Sequence, residues 1–432
     1  MTGWRVSAAL SRALSLAGIG LASAVLFGEP ALMVMTAPFL VFGALGLLGR
    51  PSAVPRFDSR LDHSVLHEGQ GTRSRLTLEH PAALESVTRV VSGVPYVAVR
   101  PAGGMVARRV SADERELAVL EVSPRRWGRR PLGNEHVMVT SSWAGYRLGP
   151  VEVVGGQLEV LPVRAPFDSR AEAPQPIGLV GAHRSRRLGD GSEFASIRPF
   201  HAGDRLRRIN WRVSLRTGDL HVVTARGEED AGVLLLLDAL ADHGISRGVD
   251  GPASSLDVSV RAAAALAEHY VRTGDRVGLR VVGGTGASIT AAAGRGHLRR
   301  IQSRLAQLYA AEPRVLSSER FQLGVAPGTV VIVLSPMLTD LMGTITGMLV
   351  RRGLPVLVID TLPGELAPSV IEGTDPVIAD LAWRMRLLER EEVLARLSSM
   401  GCPVVPWSGP GTLDDVLRRL ARRSQLPQVR AR

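Results

Sequence analysis

Asp238 and Asp242 stand four residues apart directly after an unbroken apolar run, Gly232 to Leu237. A carboxylate at the carboxyl end of a buried strand lies where an open α/β sheet meets its ligands, and such oxygens suit a hard divalent cation. The plainer role for Asp238 is to bond a loop or cap a helix. A second cluster is cationic: His183 to Arg216 holds nine arginines and three acids. Arginine forks bind carboxylates and phosphates in pairs, so Arg184, Arg186, Arg187, Arg205, Arg207 and Arg208 form a candidate anion-binding set. On nucleic acid they would need interleaved aromatics to stack bases, and only Phe200 and Trp211 are near, which argues against that ligand. Trp127 sits inside Arg125–Arg130 and reads either as a stacking patch or as a ring packed beneath a solvated turn. His63 and His67 have the spacing of one metal face on a helix, but the surrounding pattern reads as a linker.

Composition removes several chemistries. The 432 residues include 52 basic and 41 acidic side chains, a net +11, and every basic residue is arginine. With no lysine there is no Walker-A clamp, no Schiff-base lysine and no kinase-type ion pair. A single cysteine, Cys402, excludes an intramolecular disulfide and any multi-cysteine zinc or iron–sulfur site. Gly283-Gly284-Thr285-Gly286 lacks the spacing of a dinucleotide fingerprint, and no serine lies in a Gly-x-Ser-x-Gly elbow.

The elements that must position these groups fall into three kinds. Near the amino end, Ala13–Gly28 and Ala31–Leu48 are uncharged and apolar, separated by Glu29-Pro30. A membrane-crossing helix needs roughly 17–25 residues, which the second run meets and the first meets if it begins near Val6 with Arg12 snorkelling. Residues 6–48 are therefore expected to enter a lipid bilayer as a helical hairpin. Arg5 and Arg12 before it and Arg50, Arg56 and Arg60 after it place both ends, and the body, in the cytoplasm. From Arg60 to Val163, alternating runs such as Ser74–Glu79, Tyr96–Val99, Glu116–Val122, His136–Thr140 and Pro150–Val153 predict antiparallel strands of a small β-sandwich. Between Pro174 and Arg226 neither period dominates. From Gly232 onward, buried strands alternate with helix-length segments (Leu256–Val271, Arg295–Tyr309, Leu338–Leu349, Asp380–Ser398 and Leu413–Arg423), as in a mostly parallel, doubly wound α/β sheet.

The arginine-rich run resembles the signature of the family called domain of unknown function 58, whose pattern is approximately Glu-Phe, Arg-x-Tyr, Gly-Asp, Arg-x-Ile-Asp/Asn-Trp and Ser-Ala-Arg. Glu193-Phe194, Arg198, Gly203-Asp204, Arg207 or Arg208 with Ile209-Asn210-Trp211, and Ser214-Leu215-Arg216 fill those places. Phe200 stands for the usual Tyr and Leu215 for the usual Ala. Arg126-x-Gly128, Tyr146-x-Leu148-Gly149-Pro150-Val151 and two leading membrane spans also resemble the family. The α/β unit resembles a von Willebrand factor A domain whose Asp-x-Ser-x-Ser cation motif is degenerate: Leu240 replaces the first serine, Asp242 the second, and Ser335-Pro336 stands where Ser-Asp is common. The family's genes often accompany MoxR-type AAA+ ATPases, which implies an adaptor or assembly role. The expected organisation is a membrane hairpin at 1–50, a sandwich-like module at 51–165, the signature at 166–228, a von Willebrand A-like domain at 229–425 and an unstructured tail at 426–432. The expected protein is a multi-pass cell-membrane protein, not an enzyme, with no cofactor and with a MoxR-type ATPase as partner. Its binding residues would be Glu193, Arg198, Gly203, Asp204, Arg207, Arg208, Asn210, Trp211 and Arg216. The alternatives are a magnesium-dependent ligand module at Asp238 and Asp242 and an anion binder at the arginines.

Overall fold

The computed structural model describes residues 3–78, 84–111, 116–163, 188–189, 193–201, 206, 209–226, 232–284, 286–311, 329–364 and 375–407. The chain divides into two units, Met1–Val163 with Arg247–Gly251, and Arg164–Ser246 with Pro252–Arg432.

The first unit opens with strand β1 (Arg5–Val6), helix α1 (Ala8–Phe27) and helix α2 (Pro30–Leu48). Ser7 caps α1 by accepting the Leu10 N–H at 3.0 Å, and Gly28 at φ 66° makes the turn that lets Pro30 start α2. Both helices are long and apolar enough to cross a membrane. The two helices pack against each other. Small residues face inward: Leu10 lies against Gly46, Leu14 against Gly43, and Thr36 so close to Gly20 that a Cβ there would fall 1.8 Å from Thr36 Cγ2. Val25, Leu26, Val34 and Met35 face outward and are exposed. The helix pair thus meets largely through small residues and leaves most of its large apolar side chains exposed.

Strands β2 (Phe57–Leu61), β3 (Val65–His67), β4 (Thr72–Leu78), β5 (Leu84–Val91), β6 (Val97–Arg100) and β7 (Met105–Arg109) follow. They continue as β8 (Glu116–Pro124), β9 (Gly128–Pro131), β10 (Glu135–Ser141), β11 (Tyr146–Val153) and β12 (Gln157–Leu161). Two antiparallel sheets, ordered β1-β11-β10-β5-β7 and β2-β4-β8-β6, share a core of Leu76, Val87, Leu117, Val137 and Leu148. A three-stranded sheet, β3-β12-β9, closes a second cluster around Leu120, Leu132 and Leu158. The period-two alternation is therefore that of strands with one buried face. Trp127 is buried, with the Arg126 and Arg130 guanidinium groups 5.2 and 5.1 Å from the Tyr96 ring centre, so its indole is not offered for base stacking. His67, expected in a linker, lies buried on β3 with Nδ1 2.8 Å from the Pro162 carbonyl, a placement set by strand pairing with β12 rather than by local pattern.

The second unit begins with β13 (Leu188–Gly189), β14 (Glu193–Pro199), α3 (Trp211–Thr217) and β15 (His221–Arg226), whose strands form a small antiparallel sheet ordered β13-β15-β14. The signature, which shows no dominant period in sequence, thus has regular structure of its own. Next come β16 (Gly232–Ala239), α4 (Ser255–Arg272), β17 (Arg276–Gly283), β18 (Ser288–Ala292), α5 (Arg295–Leu305), β19 (Val330–Ser335), α6 (Asp340–Arg351), β20 (Val356–Asp360), α7 (Pro376–Ser399) and β21 (Val404–Pro406). The sheet order is β18-β17-β16-β19-β20-β21, parallel except for the antiparallel edge strand β18. Leu234 and Leu236 of β16 pack with Met342, Ile345 and Leu349 of α6 and Leu397 of α7. Leu235 and Leu237 point the other way and are also buried, on the side that alternation leaves to α4 and α5. Burial on both faces explains why β16 reads as a continuous apolar run. The helix expected at Leu413–Arg423 and the tail at 426–432 lie outside the described residues.

Candidate functional site

Two places in the second unit hold the residues singled out by sequence. In the signature, Asn210 caps α3: its side-chain oxygen accepts the Val213 N–H at 3.1 Å, and its own N–H donates to the His221 carbonyl at 2.9 Å. Ser214 Oγ donates to the Asn210 carbonyl at 2.8 Å and accepts the His221 N–H at 2.9 Å, welding α3 to β15. Gly218, at φ 83°, ends the helix in the left-handed region that glycine favours. On this fixed turn Trp211 and Leu215 stand one helical turn apart, 62% and 82% exposed. Arg212 and Arg216 are exposed on the same short helix, and Leu206 is exposed just before it. Arg198, on β14, is half-buried with Nη1 donating to the Pro199 carbonyl at 3.0 Å. Glu193 is described only as a backbone position of β14. Gly203, Asp204, Arg207 and Arg208 lie outside the described residues, as do Arg184, Arg186, Arg187 and Arg205.

The second place is the carboxyl edge of the large sheet, where the order reverses between β16 and β19 and ligands enter doubly wound folds. Asp238 is buried there. One carboxylate oxygen accepts the Leu240 N–H at 3.0 Å and the other accepts the Ser335 hydroxyl at 2.6 Å, while Ser335 Oγ accepts the Met337 N–H at 2.9 Å. Burial pushes the Asp238 carboxyl up to about 6, partly opposed by the Ser335 and Leu240 hydrogen bonds. Asp242 serves a different element, accepting the Leu256 N–H in the first turn of α4 at 3.0 Å. At the end of β20, Asp360 accepts the Leu362 N–H at 3.0 Å and pairs with Arg390 of α7, whose Nε donates to the Pro336 carbonyl at 2.7 Å. The hydroxyls of Ser259 and Thr361 lie 2.8 Å apart nearby. Asp238 and Asp360 hold the strand ends and Asp242 the first turn of α4, and among the described residues no three His, Cys, Asp or Glu side chains gather at one point.

Three groups escaped the sequence reading. Arg390 closes the sheet edge from a helix some thirty positions beyond its partner, and only Asp360, ending an apolar run as Asp238 does, hinted at it. Arg89 and Glu135, on neighbouring strands of one sheet of the first unit, form a fully buried ion pair that faces the other sheet. The signal was present, since both occupy inward positions of alternating strands. Finally, α7 exposes Ile378, Leu381, Met385 and Leu388, spaced three, four and three apart. That spacing makes one exposed apolar stripe on a helix whose Val393, Leu394 and Leu397 pack on the core of the large sheet.

A family model described as "Protein of unknown function DUF58" matches residues 196–370, from within β14 to beyond β20, and agrees with the resemblance carried by the arginine-rich run. The uncharacterized proteins Mb1516 of Mycobacterium bovis and Rv1480 of Mycobacterium tuberculosis are each 25% identical over 277 residues, covering 57% of this chain and 84% of theirs. Among solved structures, the second type II cohesin module of the adaptor ScaA scaffoldin of Acetivibrio cellulolyticus is 10% identical over 29% of this chain and 98% of its own, at a TM-score of 0.18. A second structure of that module gives 11%, 25%, 94% and 0.14. Scores this low carry no argument about fold or function.

Proposed function

We propose that this chain, a DUF58 protein over residues 196–370, is a membrane-anchored adaptor or assembly factor that works by gripping other proteins rather than by catalysis. The observation that carries the reading is the α3 patch. Trp211 and Leu215 are held outward by a capped, hydrogen-bonded turn and flanked by Arg212 and Arg216. Tryptophan and arginine dominate the energetics of protein interfaces because each offers large contact area together with a polar handle. The apolar stripe of α7 offers a second gripping surface of the same kind.

The sheet edge supports the same conclusion from the other side, because its acids already accept hydrogen bonds from the protein. The strand order with one antiparallel edge suits a von Willebrand A-like unit whose ion site has been replaced by internal bonds, Arg390 supplying the positive charge beside Asp360. The hairpin anchors the protein as a multi-pass membrane protein, and its arginine flanks put the body on the cytoplasmic side. The first partner is a MoxR-type AAA+ ATPase, as the family resemblance implies, docking through an acidic surface.

The test is capture of a MoxR-type ATPase by the detergent-solubilised full chain at low and high salt. Capture should fall as salt rises, because exposed charges are screened beyond about 8–10 Å. It should drop at least tenfold in W211A/L215A, equivalent to about 1.4 kcal/mol or more. Equal capture by wild type and variant, or none at any salt, refutes the reading.

A further inference from the structure

The chain enters and leaves the hairpin through tight joints with the sandwich. Before α1, β1 pairs with β11, placing Arg5 opposite Arg147 and Val6 opposite Tyr146. Trp4 packs on the sandwich core, and its Nε1–H donates to the carbonyl of Ala53, beyond the end of α2, at 2.8 Å. The Ser7 N–H, at the cap of α1, donates to the Gly145 carbonyl at 3.0 Å. The last turns of α2 meet the same turn backbone to backbone: a Cβ on Gly145 would stand 2.7 Å from the Gly46 carbonyl oxygen, and one on Gly49 would stand 3.3 Å from the Ser142 carbonyl oxygen. Glycine is required at Gly145, where helix and turn touch without room for a side chain, and the fit at Gly49 is tight.

The turn itself is held in an uncommon shape. Trp143 and Ala144 both have left-handed backbones, at φ 58° and 45°. The Ala144 N–H donates to Glu85 Oε2 at 2.8 Å and the Tyr146 N–H to Ser141 Oγ at 3.0 Å, so strands β5 and β10 enforce the conformation. Its result is to hold the Trp143 indole outward, 52% exposed, beside the end of the hairpin. Arg5, Arg12, Arg50 and Arg147 are exposed around the same end.

We propose that the Ser142–Gly145 turn is a second membrane contact: Trp143 sits at the headgroup level of an anionic bilayer, and the sandwich rides on that surface instead of swinging from a tether. The inference rests on the membrane reading of the hairpin. Continuity selects the occupant, since the turn touches the last turns of α2 where that helix would leave the hydrocarbon. Tryptophan prefers that depth because its ring is apolar and its N–H needs a partner. The ring of arginines supplies the charge that an anionic headgroup complements.

The full chain is reconstituted into vesicles of phosphatidylcholine and phosphatidylglycerol carrying dibrominated acyl chains, with bromines either shallow or deep. Membrane integration is scored separately by resistance to alkaline extraction. Wild type is expected to show an indole component quenched more by shallow than by deep bromines and shielded from aqueous iodide, and W143F to lose that component while staying alkali-resistant. If both proteins are alkali-resistant and show the same quenching, or if the Trp143 component is quenched by iodide, the docking proposal fails and the hairpin stands. Extraction of both proteins by alkali overturns the hairpin and the proposal with it.

Discussion

Arg89 on β5 shows how one residue can join two sheets. Its Nε and Nη2 donate to the two Glu135 oxygens at 2.7 and 3.0 Å, while Nη1 donates to the carbonyls of Ser74 and Ala118 on β4 and β8 at 2.8 and 3.2 Å. Ser59 and Ser74 hydroxyls accept from Nη2, and Ser59 donates to Glu135. A buried pair gains little over an apolar substitute, but removing one partner strands the other charge in a dry core. R89M alone should therefore cost about 3–5 kcal/mol of unfolding free energy, and R89M/E135L should recover most of it, measured by urea unfolding of the full chain in detergent. Asp238 makes the opposite case. Its carboxyl, raised by burial from 3.8 to about 6, holds its proton more tightly folded than unfolded. That preference stabilises the fold below pH 3.8, is lost as pH climbs to about 6, and leaves a constant deficit above, on the order of 3 kcal/mol. D238N should flatten the fall in melting temperature between pH 4 and 6 relative to wild type. An unchanged pH slope would contradict that account.

At the scale of elements, periodicity located most of what the sequence exposed. Helix α4 was legible because its apolar positions run nearly all round, and its capping box, Ser254 with Asp257, sharpens the start. Strand β18 was not legible, since it is five residues of mixed character whose place is decided by antiparallel pairing with β17. The same holds for β13 to β15, where charge conceals alternation and the cap at Asn210 sets the geometry. The hairpin was legible as two apolar runs, but its interface was not, because hydropathy says nothing about which face carries the small residues. Gly20 and Gly18 separate the two kinds of information. A side chain at Gly20 collides with Thr36, whereas one at Gly18 meets nothing within 4 Å. G20L should lower the detergent melting midpoint by the equivalent of roughly 1–3 kcal/mol, the usual range for overpacking, and G18L should leave it unchanged. Equal effects would mean the hairpin does not pack through that notch.

At the scale of the whole molecule, the two units divide the work. The first contains the apolar hairpin and a sandwich joined to it at both ends, and the second contains the signature and the large parallel sheet. Between Glu193 and Arg216 the sequence shows which residue types gather but not what each does. Asn210 works on the backbone of its own turn, while Trp211 and Arg216 face outward. Nothing in the sequence alone separates those roles, since both residue kinds sit in one charged run. By itself the sequence determined the classes of element, the absence of lysine chemistry and the two apolar spans, because these follow from composition and from periods of two and 3.6 residues. Only tertiary structure decided that Asp238 and Asp360 would be consumed by Ser335 and Arg390, that Arg89 would bridge two sheets, and that Trp143 would stand beside the end of the hairpin. Each of those pairings joins positions far apart in the chain, and only folding brings such groups within hydrogen-bonding or packing distance.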